Sequence, residues 1–315
     1  MNRNLSRFLR VLAGIVAGCA AGALLCVLVG WLSNQLSPSN DLIAIYPSLF
    51  IIPFLMGVVA SVVWRGLGMG AGQMALYSLF FLAFTLVGGA IAFHEGVICL
   101  VIVSPLFYLC LFLGALAGSM MYGSDRSKLQ VSLVPLLVVA ALVEPMLRRE
   151  VTGVVTDEVL IHAPPAKVWP HVVEFPPIQE APRFWLFKMG LPMPMATTCA
   201  GEYVGADRKC IFSGGAVFDE KVAVIVPGEK LVFDIVDAPK DPELLGHLDL
   251  KRGEFELQDN HDGTTTLVGH SWYALKVRPV WYFDWWTHAI FGAVHARVME
   301  HIRALSEADG EAAKR

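Results

Sequence analysis

Charge is what this chain has least of: Asp, Glu, Lys and Arg make up 17% of its 315 residues, where soluble globular chains carry about a quarter. The shortage is uneven. From Val11 to Ser124 the ionisable residues besides Tyr and Cys are Asp41, Arg65, His94 and Glu95. No basic excess is present either. With 24 Lys and Arg against 28 Asp and Glu, the net charge of −4 supplies no field for holding a phosphate backbone, and nucleic acid is excluded as a partner. Cys and His are not grouped closely enough for a zinc site. No glycine loop that cradles phosphates and no nucleophile elbow is present. No apolar stretch carries the repeated acid–base pattern of a proton pump. No metal and no cofactor is expected.

What the first half has instead is long apolar runs. Crossing ~30 Å of hydrocarbon takes about 20 apolar residues, because inside lipid the backbone must bond to itself. Val11–Leu32, Leu42–Trp64, Gln73–Phe93 and Val97–Tyr122 meet that length. Leu129–Leu147 makes a fifth span, although it holds Pro135, Glu144 and Pro145. Arg3, Arg7, Arg10, Arg65, Arg126 and Lys128 then fall on one side, the cytoplasmic one by the bias of short loops. Five spans make a multi-pass protein of the inner (plasma) membrane, N-terminus cytoplasmic and following domain extracytoplasmic; four spans leave that domain in the cytoplasm. Gly14, Gly18 and Gly22, and Gly114 with Gly118, recur every four residues, a spacing that lets helices approach closely. Trp31, Trp64 and Tyr122 stand at span ends, where interfacial aromatics sit.

Near residue 147 the pattern changes to ordinary charge and turn chemistry. Val154–Ala163 is β-rich, and Pro164–Phe175 reads as a helix with Pro near its start. Alternating runs from Gly201 to Val277 are broken at Gly205, Pro227-Gly228, Asp237-Ala238-Pro239 and Asp262-Gly263. Leu248 and Leu250 run out of phase with Phe255 and Leu257, which predicts a β-bulge at Arg252-Gly253. Trp281–Glu307 reads as one long helix with an apolar stripe of Ile290, Val294, Val298, Ile302 and Leu305. The expected organisation is an α-helical transmembrane bundle (1–147), an α+β domain (154–308) and a polar tail (309–315).

Val159–Trp169, Phe212–Gly215, Glu220–Val222 through Pro227–Leu231, Gly263–Leu267 with Tyr273, and His295–Ile302 with Glu307 resemble the START-like, or helix-grip, superfamily. It includes polyketide cyclase/dehydrase-like proteins, lipid-transfer domains and plant pathogenesis-related proteins. The resemblance implies a curved antiparallel sheet around a long C-terminal helix, with a cavity for an apolar ligand between them. It implies no catalytic residue, because the superfamily has no universal one. The function expected is membrane-anchored binding, transfer or sensing of a hydrophobic small molecule or lipid. The alternative is a cyclase or dehydratase-like lyase.

For that alternative the candidate acids and bases are His270, His288 and His295, with His247 a fourth histidine in reach. No carboxylate partner is fixed by spacing. Trp281, Trp285, His288 and Phe291 share a broad face of the last helix, which His295 extends, and are expected to line the ligand site. Trp185 and Phe187 belong to the apolar segment Pro182–Met195, which reads either as a gate toward the bilayer or as the inner wall of the cavity. Glu254 and Glu256 read as a solvated outer strand face. Cys199 and Cys210 flank a hairpin turning near Val204-Gly205, and are expected about opposite one another, either bonded or reduced.

Overall fold

The computed structural model describes residues 3–36, 47–93, 96–121, 151–239 and 248–312. The chain divides into two compact units, 1–148 and 149–315.

Among the described residues of the first unit four helices pack on one another: α1 (Arg3–Leu36), α2 (Ile52–Trp64, entered through a π-helical turn at Pro47–Ile51), α3 (Ala71–Phe93) and α4 (Val97–Met121). Glycine makes the packing possible. A Cβ at Gly14 or Gly22 would run into Trp64 or Met56 of α2, and one at Gly18 into Phe81 of α3 and the Met56 carbonyl. Gly114 and Gly118 admit α2 in the same way, at Phe54 and Ser61. The small-residue stripes thus serve contacts between helices of this one chain. Phe81, Leu111, Ile52 and Ala115 form the dry centre, while Leu24, Val27, Phe80, Phe84 and Ile91 point outward and are exposed.

Three of these helices are long and apolar enough to cross a membrane, Asn4–Trp31, Ala71–Ile91 and Val97–Met121. The expectation of five spans is met to that extent among the described residues. The apolar helix Leu49–Trp64 is shorter than a full span, and Leu42–Tyr46, which was to complete it, lies outside the described residues. So do His94, Glu95, Tyr122 and the fifth span Leu129–Leu147.

The second unit is a seven-stranded antiparallel sheet in the order β1-β7-β6-β5-β4-β3-β2. Its strands are β1 (Val151–Ile161), β2 (Pro194–Cys199), β3 (Asp207–Phe212), β4 (Val217–Val226), β5 (Lys230–Asp237), β6 (Leu248–Asp259) and β7 (Thr265–Leu275). Between β1 and β2 come α5 (Pro165–Val173) and α6 (Trp185–Met189), and after β7 the long α7 (Val280–Ala312). Every neighbour in β2 to β7 is also next in sequence. The first strand closes onto the last, Val151 facing Leu275 and Ile161 facing Thr265. This is the helix-grip architecture.

Strand periodicity sends Val155, Val159, Phe233, Phe255, Leu257 and Leu267 to the inner face, where α5 and α7 cover them. Val168, Val172, Phe175, Val298, Met299 and Ile302 complete that core. Fixed polar bonds hold the helix to the sheet. The backbone N–H of His162 donates to Glu307 at 3.0 Å, and Arg297 donates to the carbonyls of Pro194 at 2.9 Å and Glu180 at 3.0 Å.

Several sequence expectations shift at residue level. The bulge lies one residue earlier, between Leu250 and Arg252. The buried stripe of α7 runs through Thr287, Phe291, His295, Val298, Met299 and Ile302, with Ile290 and Val294 only half-buried. Helical spacing permits either stripe, and the sheet selects the one that brings polar groups inward. Cys199 faces Arg208 while Cys210 faces Thr197, two residues out of register, so the thiols are free. Burial pushes the Cys210 thiol up to about 12, helped by the Glu220 carboxylate.

Candidate functional site

On the inner face, α7 changes character along its length. Its later turns press Val298, Met299 and Ile302 into the apolar core. Its earlier turns bring Asp284, His288 and His295 over β1 and β7, where the inward positions are Asp157, Ser271 and Tyr273.

Two relays run through these six groups. In the first, Nδ1 of His295 lies 2.7 Å from Oδ2 of Asp157, and its Nε2 lies 2.8 Å from Oγ of Ser271. His295 is buried, at 5% exposure, so the carboxylate fixes its ring. The hydrogen bond from His295 holds the Asp157 carboxyl below its ordinary range; the charges of His295 and His288 add to this and partial burial opposes it. In the second, the Tyr273 hydroxyl donates to Oδ1 of Asp284, and Nε2 of His288 stands 3.8 Å from Oδ2 of the same carboxylate. Burial raises the Tyr273 phenol, and the hydrogen bond to Asp284 and its charge raise it further. The tyrosine ring lies across Gly153, where a Cβ would meet it, and it touches the rings of His288 and Phe291 at 6.2 and 5.7 Å between centroids.

An aromatic group flanks this polar end. Trp185 of α6 meets Trp286 edge-on at 6.3 Å, Trp286 meets Trp285 at 4.9 Å, and Phe184 meets Phe187 at 5.3 Å. Gly190, at φ 114°, turns the chain sharply after α6. The segment 182–195 is divided: Leu186, Phe187 and Leu191 are buried, while Trp185 and Met189 are exposed.

The residues singled out from sequence therefore separate. Phe291 and His295 are buried at the inner face, His288 is exposed with its ring beside Tyr273, and Phe187 is buried beside Phe184. Trp185, Trp281 and Trp285 are 45%, 72% and 61% exposed; they form an outer rim, not a lining. His270 projects from the opposite face of β7, hydrogen-bonded to Thr156 at 2.8 Å and beside Trp272. It cannot act with His288 or His295. His247 lies outside the described residues. Glu254 and Glu256 share that outer face with His270, close enough to hold an ion. Lys230, however, already sits 2.7 Å from Glu254.

Sequence reasoning missed Asp157, Ser271 and Asp284. For Asp157 a signal existed, since it is the one acid at the inward positions of β1, between Val155 and Val159. Ser271 sits likewise between Gly269 and Tyr273 on β7.

No family model matches the chain. No curated protein matches it either. Among solved structures, protein MLL2253 from Mesorhizobium loti is 22% identical, over 50% of this chain and 98% of its own, with a TM-score of 0.34. Truncated norcoclaurine synthase from Thalictrum flavum is 13% identical, over 47% and 92%, at 0.33. Ara h 8.0201 is 14% identical, over 50% and 99%, at 0.34. The fold described above rests on strand order and helix placement alone.

Proposed function

We propose that the second unit binds an amphiphilic small molecule or lipid, its apolar part against Phe291 and the aromatic rim and its polar part among Asp157, Ser271, Tyr273, Asp284, His288 and His295. The observation that carries this reading is the change along α7 from an apolar face to an ionisable one, over a sheet that changes in step. Ligand sites of this kind combine apolar walls with a few converging polar groups that fix orientation. His288 and Asp284 remain half-exposed, which gives a polar end a way in. The exposed tryptophans beside it suit the boundary of a bilayer, where an amphipathic ring keeps one edge wet. The apolar helices of the first unit would hold the domain where such molecules are concentrated.

Photocrosslinking of the full chain in lipid nanodiscs tests this. A diazirine-bearing fatty acid should attach within residues 271–295, and excess unlabelled fatty acid should displace it. Crosslinks confined to α1–α4 would overturn the proposal. A second reading, catalysis in the same place, is favoured by one observation, the Asp157–His295–Ser271 relay.

A further inference from the structure

We infer that Ser271, His295 and Asp157 form a hydrolytic triad that cleaves an ester of an apolar acyl chain. The inference rests on the binding reading above and adds a reaction to it.

The two partners of His295 assign the proton positions of a neutral imidazole. Asp157 is held ionised by its hydrogen bond to His295, and an ionised carboxylate can only accept. The hydrogen on His295 therefore sits on Nδ1, facing Oδ2 at 2.7 Å. In the neutral imidazole Nε2 then carries the lone pair and accepts from the Ser271 hydroxyl, 2.8 Å away. That is the arrangement in which an imidazole acts as general base toward a serine, and it is recognised by roles and distances, not by order in the chain. A core histidine needs only to have its two nitrogens satisfied, by any donor or acceptor. Here one partner is an ionised carboxylate and the other, across the ring, is a primary alcohol. The three groups come from β1, β7 and α7, so three separate elements hold the relay in place.

Phe291 beside Tyr273 and the Trp185–Trp286 pair are the apolar groups next to the relay that an acyl chain would meet. The Tyr273 hydroxyl, one inward position further along β7, is committed to Asp284, and the His288 ring beside it is the donor for the ester carbonyl oxygen. Ser271 Oγ bonds to the carbonyl carbon, the C=O electron pair moves to oxygen, and the hydroxyl proton passes to Nε2 of His295. When the pair returns, the C–O bond to the alcohol breaks and the alcohol leaves with that proton. Water then attacks the acyl-serine, gives one proton to Nε2, and expels Ser271, which recovers it. The sum is ester plus water to acid plus alcohol.

The test treats the full chain in detergent with an alkyl fluorophosphonate and locates the adduct by peptide mass. One phosphonyl group per chain on Ser271 is expected. It should be lost in Ser271→Ala and His295→Ala, and slowed in Asp157→Asn by about 10⁴-fold, the cost of the wrong imidazole tautomer in a serine triad. Ser271→Cys should recover labelling with a thiol-reactive acyl analogue, which shows that the strand tolerates the change. An unmodified Ser271 in a chain that still takes the diazirine fatty acid would overturn the hydrolase and leave the binding site standing. Failure of both would overturn both.

Discussion

Among the described residues Arg208 is the largest fully buried side chain, at 2% exposure. Its guanidinium pairs with Glu220, also buried, donates from Nε to the Val173 carbonyl at 3.3 Å and lies 4.4 Å over the Phe233 ring. Burial pushes the Glu220 carboxyl up, and the charge and hydrogen bond of Arg208 pull it back. Taking two charges out of water costs several kcal/mol each, so a pair of this kind is held together mainly by what either partner would lose alone. Arg208→Met or Glu220→Leu should each lower stability by about 3–5 kcal/mol, while the double replacement should lose much less. Denaturation followed by the β-sheet circular dichroism signal checks this. A double variant as unstable as the singles would show that the pair contributes net stability beyond compensation. Nothing in the sequence announced this pair. Arg208 and Glu220 lie on two hairpin strands with charged neighbours, and only the face on which they fall separates them from the exposed pairs Lys209–Asp219 and Lys221–Asp207. The relay was hidden for a similar reason: Asp157 and His295 are distant in sequence, and β1 meets its partner β7 only across the length of the domain.

At the scale of elements the sequence was far more legible. Alternation located the strands, Pro165 marked the start of α5, and the last helix was visible from its spacing. What spacing could not choose was the rotation of α7, because Ile290 and Val294 are as apolar as any neighbour. The sheet beneath decided it by presenting Asp157, Ser271 and Tyr273, whose polar groups take Asp284 and His295 in preference to two methyl-rich side chains. In the first unit the glycine spacing was equally plain, and the structure divides the glycines by consequence. A Cβ at Gly114 would collide with the Phe54 backbone, whereas Gly88, on α3, has open space around it. Gly114→Val should therefore separate α2 from α4 and lower the melting temperature of the chain in detergent, overpacking of this kind costing about 1–3 kcal/mol or more. Gly88→Val should leave it within a degree or two. Equal effects of the two would mean that helix propensity, and not the close approach, sets the response.

For the whole molecule the open question is which helices cross. Arg7 at the start of α1 donates to Gln73 at the start of α3 at 2.9 Å, so these two helices run the same way. Trp64, the last residue of α2, donates to the Val11 carbonyl at 3.1 Å, so α2 runs back along α1. Gly118, near the end of α4, packs on Ser61 near the end of α2, which makes α4 antiparallel to α1. Up, down, up, down is the order that four crossings require, and it gathers Arg7, Arg10 and Arg65 at one end of the bundle, as loop charge leads one to expect. Yet α2 has 13 residues, about 20 Å of helix at 1.5 Å per residue, against ~30 Å of hydrocarbon. A shallow α2 that enters and returns would put residue 67 on the opposite face from a crossing one. Leu67→Cys and Asn2→Cys variants separate the two. In sealed vesicles of known orientation, an impermeant maleimide should reach both positions from the same side, the cytoplasmic one. Native Cys199, mapped in the same digests, should react from the other side if a fifth span follows α4, and from the cytoplasmic side if none does. Labelling of residues 2 and 67 from opposite sides would sink the four-crossing bundle, whatever Cys199 does.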